Sequence, residues 1–198
     1  MKAIASKVSH NPIQALSDQA DAVRWAQDAQ CVEKARSEAS AESHLAFAQL
    51  VERYQDYLRN MLFGLCRNQD LADELAQETF VTAWQKLDTL QEAVKFQGWI
   101  KQLAYRQFLH HQRHQKVVSA HLQHTRETAN AELEIQEPDW QRLLKPCNEL
   151  ERELLVLLFG FEFTYAEISS LRGIPLGTVK SHVRRAKSKI AKMLEESS

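Results

Sequence analysis

The segment from Thr164 to Lys192 most constrains the fold, because it carries start and stop signals for two consecutive helices. Thr164 and Glu167 have the spacing of a capping box, which begins a helix. Gly173 is a typical helix end, and Pro175 prevents the first helix from continuing into the second. The segment therefore predicts a helix, a tight turn and a second helix.

The second helix of this segment separates apolar from basic side chains. Its apolar residues share one side at helical spacing, namely Leu176, Val179, Val183, Ala186, Ile190 and Leu194. The other side holds hydroxyl-bearing and basic residues, namely Thr178, Lys180, Ser181, Arg184, Arg185, Ser188 and Lys192. A run of charge alone is usually a solvated surface. Here the turn, the cap signals and the single-sign face together favour a helix-turn-helix whose second helix fits the DNA major groove.

The net charge of −1 conceals a strong segregation of charge along the chain. Residues 101–126 contain five Lys or Arg, five His and no acid, and residues 172–192 contain seven Lys or Arg and no acid. Acids concentrate in residues 70–78 and 127–139. This asymmetry indicates nucleic acid as the partner of the basic faces and a basic partner for the acidic ones.

Few helix-breaking residues occur, with five Gly and four Pro among 198 residues, and β-branched alternation is scarce. The chain is therefore predicted to be all-α. Helical periodicity indicates two small helical domains, at 45–116 and 146–198, joined by a flexible linker at 117–145. Residues 1–44 have only a thin apolar stripe, which favours an arm that is partly helical or mobile.

The residue types that usually carry catalysis or metal binding form no recognisable set. Cys31, Cys66 and Cys147 lie far apart without CxxC spacing, which argues against zinc or disulfides and fits a reducing cytoplasm. His110 and His114 are four residues apart, but no nearby carboxylate or cysteine completes a metal site. No catalytic residue, metal or cofactor is expected, since no enzyme motif is present. Without a long apolar run, neither a signal peptide nor a membrane span is expected.

Two further helices carry one-sided charge, and each leaves two interpretations open. Asp70 is expected to cap a helix that runs to about Lys86 and bears several acids, with Val81 and Trp84 beside them. The acids fit either a solvated first turn favoured by the helix dipole or a docking face for a basic protein surface. Another helix, at about 97–115, has a basic side that contains a Tyr and a Leu. That side fits phosphates and unstacked bases, but it also fits contact with the second domain or with solvent.

At three stretches the chain resembles bacterial RNA polymerase sigma factors of the extracytoplasmic-function (ECF) type, in the sigma-70 family. DLADELAQETFVTAWQKL at 70–87 is similar to the family's region 2.2, and FQGWIKQLAYRQFLHHQRHQK at 96–116 is similar to regions 2.3 and 2.4. FTYAEISSLRGIPLGTVKSHVRRAKSKI at 163–190 resembles region 4.2. The order and spacing of three motifs make the resemblance specific, which a helix-turn-helix alone does not.

The resemblance implies a sigma factor, which binds core RNA polymerase through the clamp helices of the largest subunit and directs promoter recognition and transcription initiation. It further implies promoter DNA as a partner, an anti-sigma factor as a second protein partner, a cytoplasmic location and no enzymatic activity. The alternative is a stand-alone helix-turn-helix transcriptional regulator with a helical partner-binding domain.

The resemblance also assigns three faces of side chains. The docking face, for core polymerase, comprises Asp73, Glu74, Gln77, Glu78 and Phe80. The minus-10 face comprises Trp99, Lys101, Gln102, Tyr105, Arg106, Leu109, Arg113 and Lys116. The recognition face, for the minus-35 element, comprises Thr178, Lys180, Ser181, Arg184, Arg185 and Lys187. Phosphate contacts are expected from Arg172, Lys187 or Lys189, and the loop at 88–96 is expected to help capture a flipped base.

The chain departs from the family pattern in and around the minus-10 face. Tyr105 and Arg106 stand where the family usually has Arg and Asn, and His110 stands where Asp is frequent. Gly98, which precedes Trp99, stands where the family tends to have Pro or another residue in place of Gly. The family's minus-10 base preference is therefore not carried over to this chain.

Overall fold

The computed structural model of the chain describes residues 12–37, 40–121 and 139–196. Every regular element within these three ranges is helical, which confirms the all-α prediction. The α-helices are α1 (Pro12–Arg36), α2 (Ala41–Cys66), α3 (Gln69–Gln85), α4 (Phe96–His121), α5 (Asp139–Leu143), α6 (Glu149–Leu155), α7 (Tyr165–Arg172) and α8 (Leu176–Glu196). Short 3-10 helices occupy Leu87–Thr89 and Ala93–Lys95, and a π-helical turn occupies Val156–Gly160.

Helix α3 begins one residue before Asp70, so the prediction that Asp70 is its N-cap is wrong. The side chain of Asn68 caps the helix instead, since its Oδ1 accepts a hydrogen bond of 2.9 Å from the backbone N–H of Leu71. Arg67 has a φ of 55°, in the left-handed region, where the chain leaves α2. The chain therefore turns before Asn68, and Asp70 lies in the first turn of α3, where its charge suits the helix dipole.

The described helices group into two compact units, and unit 1 comprises residues 1–54 and 80–103. Its core is built from fully buried apolar side chains, including Val32, Leu50, Phe96 and Ile100. Helix α1 packs on the 3-10 helix Ala93–Lys95 in this unit. The described part of the predicted N-terminal arm is therefore a packed helix.

Polar contacts fix α1 within unit 1. The carboxylate of Asp28, a residue only 1% exposed, accepts hydrogen bonds from the Tyr54 hydroxyl and the Arg53 guanidinium. The Arg36 guanidinium donates to the backbone carbonyl oxygens of Leu87, at 3.0 Å from Nη2, and Leu90. Because these carbonyls belong to the connection between α3 and α4, α1 holds the start of that connection in place.

Unit 2 comprises residues 55–79 and 104–198, so it combines the second half of α2 with most of α3 and with the C-terminal helices. Its core includes the fully buried Leu58, Leu62, Leu154 and Ile168. The packing is close enough to exclude a methyl group at one glycine. A Cβ on Gly64 would lie 2.5 Å from the ring of Trp140.

The two units cut across the domain predicted at 45–116. Residues 122–138 of the predicted linker, and residues 1–11 of the predicted arm, lie outside the described residues. The linker and the domain boundaries therefore stay predictions. Helix α4 continues to His121, six residues beyond the predicted end at Gln115.

Candidate nucleic-acid and protein interfaces

Local hydrogen bonds form both ends of α7 as the sequence predicts. Thr164 Oγ1 accepts from the backbone N–H of Glu167 at 3.2 Å, and Glu167 Oε2 accepts from the backbone N–H of Thr164 at 2.7 Å. Gly173 has a φ of 68°, and its N–H donates to the Ser169 carbonyl oxygen at 2.9 Å. The capping box and the left-handed glycine stop are therefore confirmed.

The turn into α8 is stabilised by further short-range bonds. Ser169 Oγ donates to the carbonyl oxygen of Ile174 at 2.6 Å. The carbonyl oxygen of Pro175 accepts from the N–H groups of Thr178 at 2.9 Å and Val179 at 3.1 Å. These bonds define the angle between α7 and α8 at the turn, as a helix-turn-helix requires.

The recognition face of α8 is open to solvent at its cationic positions. Val179, Val183 and Ala186 are buried on the opposite side of the helix. The exposed members of the face are Lys180, Arg184, Arg185 and Lys187. Thr178 and Ser181 are half-buried, and the Ser181 hydroxyl donates to the Thr178 carbonyl oxygen at 2.9 Å. The face can therefore present several cations to a groove at once.

Two glutamates of α6 bind two of the cations predicted to contact phosphate. Glu151 is 2% exposed, and its Oε2 lies 2.6 Å from Lys189 Nζ. Burial raises the pKa of Glu151, but hydrogen bonds from Lys189 and the Asn148 backbone outweigh burial and lower it. Glu153 is 5% exposed, and its Oε1 lies 2.9 Å from Arg172 Nε. Arg172 and Lys189 are therefore engaged within unit 2.

The minus-10 face is not uniformly exposed. Tyr105 is fully buried, and its hydroxyl donates to Glu153 Oε1 at 2.5 Å in unit 2. Desolvation and the Glu153 carboxylate raise the pKa of Tyr105 above its ordinary value. Lys101 and Leu109 are also buried, at 4% and 9% exposure. At Tyr105 the observed contact is with the C-terminal segment, which was one of the two interpretations left open by the sequence.

The remaining minus-10 positions differ in exposure. Trp99 and Gln102 are half-buried, with the Trp99 ring centroid 5.9 Å from that of Phe96. Arg106 and Arg113 are exposed, and the Lys116 side chain lies outside the described residues. Of the described cationic side chains on this face, the two arginines therefore lie open to a nucleic acid.

The docking face of α3 is also divided. Glu74, Gln77 and Glu78 are exposed. Asp73 instead forms a two-point ion pair with Arg59, with Oδ1 2.6 Å from Nε and Oδ2 2.8 Å from Nη2. This pair lowers the pKa of Asp73. Phe80 is 8% exposed, so it belongs to the packed interior.

Two apolar side chains beside the docking face have different environments. Val81 is 56% exposed, and helical spacing puts it seven residues after Glu74, on the same side of α3. Trp84 is half-buried, stacked on His44 at 5.2 Å and edge-on to Phe47 at 5.0 Å. Trp84 therefore joins α3 to α2, while Val81 lies open beside the acids.

Four side chains with long-range roles were missed by the sequence reasoning. Glu153 joins Tyr105 to Arg172, and the Tyr57 hydroxyl donates to the Gly160 carbonyl oxygen at 2.6 Å. In unit 1, Arg36 binds the loop carbonyls as described. Trp25 Nε1 donates to Gln97 Oε1 at 2.8 Å, at the start of α4. Each bond joins residues at least 19 positions apart, so no local sequence signal indicates it.

An apolar cavity of about 490 Å³ lies in unit 2. Its lining residues are Met61, Trp140, Leu143, Leu144, Leu155, Val156, Phe159, Gly160, Lys187 and Ile190. Phe159 is 59% exposed, and Lys187 Nζ lies 4.8 Å from the centroid of its ring. The cavity can take apolar side chains, with a cation at its wall.

Among residues 12–37, 40–121 and 139–196, no three His, Cys, Asp or Glu side chains lie together so that they could hold a metal ion. Within the same described part of the chain, no helix is both long and apolar enough to cross a membrane.

A helix-turn-helix with an exposed cationic face, in an all-helical chain, defines a DNA-binding protein. The family is set by two matches: residues 50–117 match sigma-70 region 2, and residues 148–190 match sigma-70 region 4. Together they cover more than half of the 198 residues. The chain belongs to the sigma-70 family of RNA polymerase sigma factors and is of the ECF type.

Curated relatives are matched along most of their length. The ECF RNA polymerase sigma factor SigW of Bacillus subtilis (strain 168) is 26% identical over 169 residues, which cover 76% of this chain and 90% of SigW. The ECF RNA polymerase sigma factor EcfG of Rhodopseudomonas palustris (strain TIE-1) is 28% identical over 146 residues, which cover 69% of this chain and 78% of EcfG. The chain is accordingly a sigma factor, which binds core RNA polymerase and promoter DNA to initiate transcription. A stand-alone regulator is not favoured.

Two solved structures share the fold. The sigma factor RpoE from Bartonella quintana, solved in complex with the anti-sigma factor NepR, aligns with a TM-score of 0.55 and 23% identity, over 75% of this chain and 96% of that chain. CnrH, solved in complex with the cytosolic domain of CnrY, aligns with a TM-score of 0.53 and 21% identity, over 87% of this chain and 99% of that chain.

Proposed function

We propose that this sigma factor uses three faces for three separate tasks. The recognition face of α8 reads the minus-35 element as duplex DNA, and the minus-10 face of α4 engages the melted minus-10 element. The exposed acids of the docking face bind the clamp helices of the largest polymerase subunit.

The observation that carries the proposal is the exposed cationic side of α8. Lys180, Arg184 and Arg185 lie in solvent opposite the buried Val179 and Val183. An α-helix fits the major groove, where Arg and Lys bind guanine edges and phosphates. A helix with this division of side chains, placed after a tight turn, suits the minus-35 duplex.

The docking face is supported by exposure as well as by charge. Glu74, Gln77 and Glu78 are exposed, and Val81 adds an apolar group at the same side of α3. A protein interface with acids around an apolar centre suits a basic, partly apolar partner. Asp73 contributes less directly, because Arg59 already binds its carboxylate.

An anti-sigma factor is a further proposed partner, and the cytoplasm is the proposed location. The two solved relatives are described in complexes with NepR, an anti-sigma factor, and with CnrY. The apolar cavity with Lys187 at its wall suits an amphipathic helix that carries an acid beside its apolar side chains.

Run-off transcription tests the proposal as a whole. Purified chain and core RNA polymerase are incubated with genomic fragments of the source organism, and the 5′ ends of the transcripts are mapped. The expected result is initiation at a small set of sites that share two upstream elements, with none from core enzyme alone. Tight binding to a palindrome without core enzyme, together with no core-dependent transcripts, contradicts the proposal and supports a stand-alone regulator.

A charge reversal tests the docking face separately. Glu74→Lys is expected to abolish co-purification with core polymerase, since it puts a cation against a basic surface. Glu149→Lys, at an exposed position of α6, is the matched control and is expected to leave co-purification intact. Circular dichroism checks that both variants keep their helicity. Unchanged co-purification of Glu74→Lys argues against this face.

A further inference from the structure

Helix α1 holds both ends of the connection between α3 and α4 through two side chains. Arg36 donates at the start of the connection, to the backbone carbonyl oxygens of Leu87 and Leu90. Trp25 lies at the other end, where its Nε1 donates to Gln97 Oε1 at 2.8 Å. The two donors are about three helical turns apart, so they share one side of α1.

The same side of α1 is fixed to the core of unit 1 between these two donors. Val32 is fully buried there, and Asp28 is 1% exposed. The Asp28 carboxylate accepts from the Tyr54 hydroxyl, and the Tyr54 ring lies edge-on to that of Phe96 at 5.6 Å. Phe96 is the buried first residue of α4. The helix that carries both donors is therefore packed on the same core as the start of α4.

The capture loop, residues 88–96, has an anchored backbone and exposed side chains. Its exposed residues include Asp88, Thr89, Gln91 and Glu92. Leu90, by contrast, is 6% exposed, and its carbonyl oxygen accepts from Arg36. A carbonyl oxygen that is withdrawn from water needs a hydrogen-bond donor, and here the donor comes from α1. The shape of the loop backbone therefore depends on α1, while polar side chains of the loop remain open to a ligand.

The contacts of Arg36 place it to act through the loop rather than on DNA directly. All three guanidinium nitrogens bind within the chain, since Nε and Nη2 donate to the loop carbonyls and Nη1 donates to Glu33 Oε1 at 3.2 Å. The Arg36 side chain is 18% exposed. Its planar fork spans two carbonyl oxygens, which the single ammonium of a lysine does not reproduce.

We propose that α1 is the positioning element of the capture loop, in which Arg36 and Trp25 hold the loop in the shape that takes up a flipped minus-10 base. The inference rests on the proposed function, because it requires the loop to meet the melted strand. A loop that is already ordered has less conformational freedom to lose on binding, so the two donors raise affinity for the strand without touching it.

Three variants of the full chain weaken the anchor to different extents. Arg36→Ala removes it, Arg36→Lys keeps the charge without the planar fork, and Trp25→Phe keeps an aromatic ring without the N–H donor. Arg24→Ala is the matched control, because it removes the same charge from an exposed position of α1. Circular dichroism and urea unfolding confirm that each variant is folded.

Hydrogen exchange measures the anchor without DNA. The N–H groups of Thr89 and Leu90 donate to backbone carbonyls of their own turn. Arg36→Ala is expected to speed their exchange about tenfold, the factor typical of losing a hydrogen bond to a charged group. Amides of α8 serve as the internal reference, and Arg24→Ala is expected to match the unmodified chain. Unchanged exchange in the loop overturns the anchoring role.

Fluorescence anisotropy with forked minus-10 DNA, taken from a promoter mapped by run-off, tests base capture. In a series of probes with one abasic position each, the probe that the unmodified chain binds most weakly identifies the captured base. Arg36→Ala should bind the intact probe about tenfold more weakly, Arg36→Lys nearly as weakly, and Trp25→Phe about threefold more weakly. The variants and the unmodified chain should bind the probe without that base alike, since the loop then has no base to hold.

The two probes separate a positioning role from a structural one. An equal loss of affinity on the intact and abasic probes overturns the positioning role, because Arg36 then acts on DNA charge or on the fold. Full affinity in Arg36→Lys also overturns it, because charge alone then suffices. If no abasic position weakens binding by the unmodified chain, the loop captures no base and the inference fails, while core-dependent transcripts still support the proposed function. The absence of such transcripts contradicts the proposed function, whatever the exchange result.

Discussion

The recognition face and the minus-10 face differ in what covers them. In the sequence both are basic sides of amphipathic helices. In the structure Lys180, Arg184 and Arg185 of α8 are exposed, whereas Tyr105 is fully buried against Glu153. Charge pattern thus identifies the polar side of a helix. Whether another part of the chain occupies that side is decided by packing.

The docking face shows the same difference between covered and exposed side chains, here between two residues that are adjacent in the sequence. Asp73 and Glu74 are adjacent acids, yet Asp73 binds Arg59 in two points and Glu74 is exposed. We therefore expect exposed side chains to contribute mainly to partner binding. Side chains that are bonded or packed within the chain should contribute mainly to the free energy of unfolding. The following predictions test this division, starting with the largest effect.

The exposed arginines of α8 are expected to give the largest effect on binding. Arg184→Ala with Arg185→Ala should weaken binding to the mapped minus-35 duplex about thirtyfold or more, because two contacts are lost and each costs roughly 1–3 kcal/mol. With about four phosphate contacts, two of them from these arginines, log affinity should fall with log salt at a slope near −3.6, and the double variant should make the slope shallower, near −1.8.

The matched control for this pair is Arg142→Ala, at an exposed position of α5. Electrophoretic mobility shifts at several salt concentrations measure both variants, and their urea unfolding curves should coincide with that of the unmodified chain. A salt slope near zero for the unmodified chain would contradict DNA binding by this face.

Gly64 of α2 tests the expectation that packed residues contribute mainly to stability. Gly64→Ala puts a methyl group 2.5 Å from the Trp140 ring, so overpacking should cost about 1–3 kcal/mol of unfolding free energy. Gly177→Ala is the control, because no atom lies within 4 Å of its added Cβ and a helix favours Ala over Gly by about 0.5–1 kcal/mol. Urea unfolding measures both, and equal stabilities would refute the close packing.

The smallest expected effect distinguishes the adjacent acids of α3. Asp73→Asn should lower stability at neutral pH by about 0.2–1 kcal/mol, since its ion pair is partly exposed. The pKa of Asp73 is lowered in the folded chain, so this contribution is complete above the ordinary Asp pKa and is lost as pH falls through the lowered value. The stability difference from the unmodified chain should therefore shrink on acidification.

Glu74→Gln is the control for this comparison, and it should leave the unfolding free energy at neutral pH unchanged, because the Glu74 side chain is exposed. Its effect should appear in the affinity for core polymerase instead. A pH-dependent loss of stability in Glu74→Gln equal to that of Asp73→Asn would remove the distinction between the two acids.

The local features of the fold could be predicted because their chemistry spans few residues. A capping box needs two side chains three positions apart, and the predicted box at Thr164 with Glu167 is confirmed. Asn148 and Glu151, which have the same spacing, form a second box at the start of α6. The N-cap of α3 was misplaced because Asn68 and Asp70 are both good caps. The left-handed turn at Arg67, which selects Asn68, has no signal in the sequence.

The sequence could not predict which side chains of the three faces are bonded within the chain, because those bonds join residues far apart in the sequence. Tyr105 and Glu153 are 48 positions apart in the sequence, and Asp73 is 14 positions from Arg59. A periodic pattern places each of these residues on a helix side and gives no information on which helix packs there. Burial of Glu151 and Glu153 beside Leu154 and Leu155 is likewise a property of the packed unit.

The contact of Arg36 with the loop after α3 has a consequence for how such a protein can diversify. Arg36 binds the carbonyl oxygens of Leu87 and Leu90, which every amino acid possesses. The anchoring of the start of the loop therefore does not depend on which side chains residues 88–90 carry. Base capture by this loop is an expectation from the family resemblance; under that expectation, substitutions at 88–90 alter the preferred bases while the anchor is kept, so promoter choice can evolve without a new scaffold.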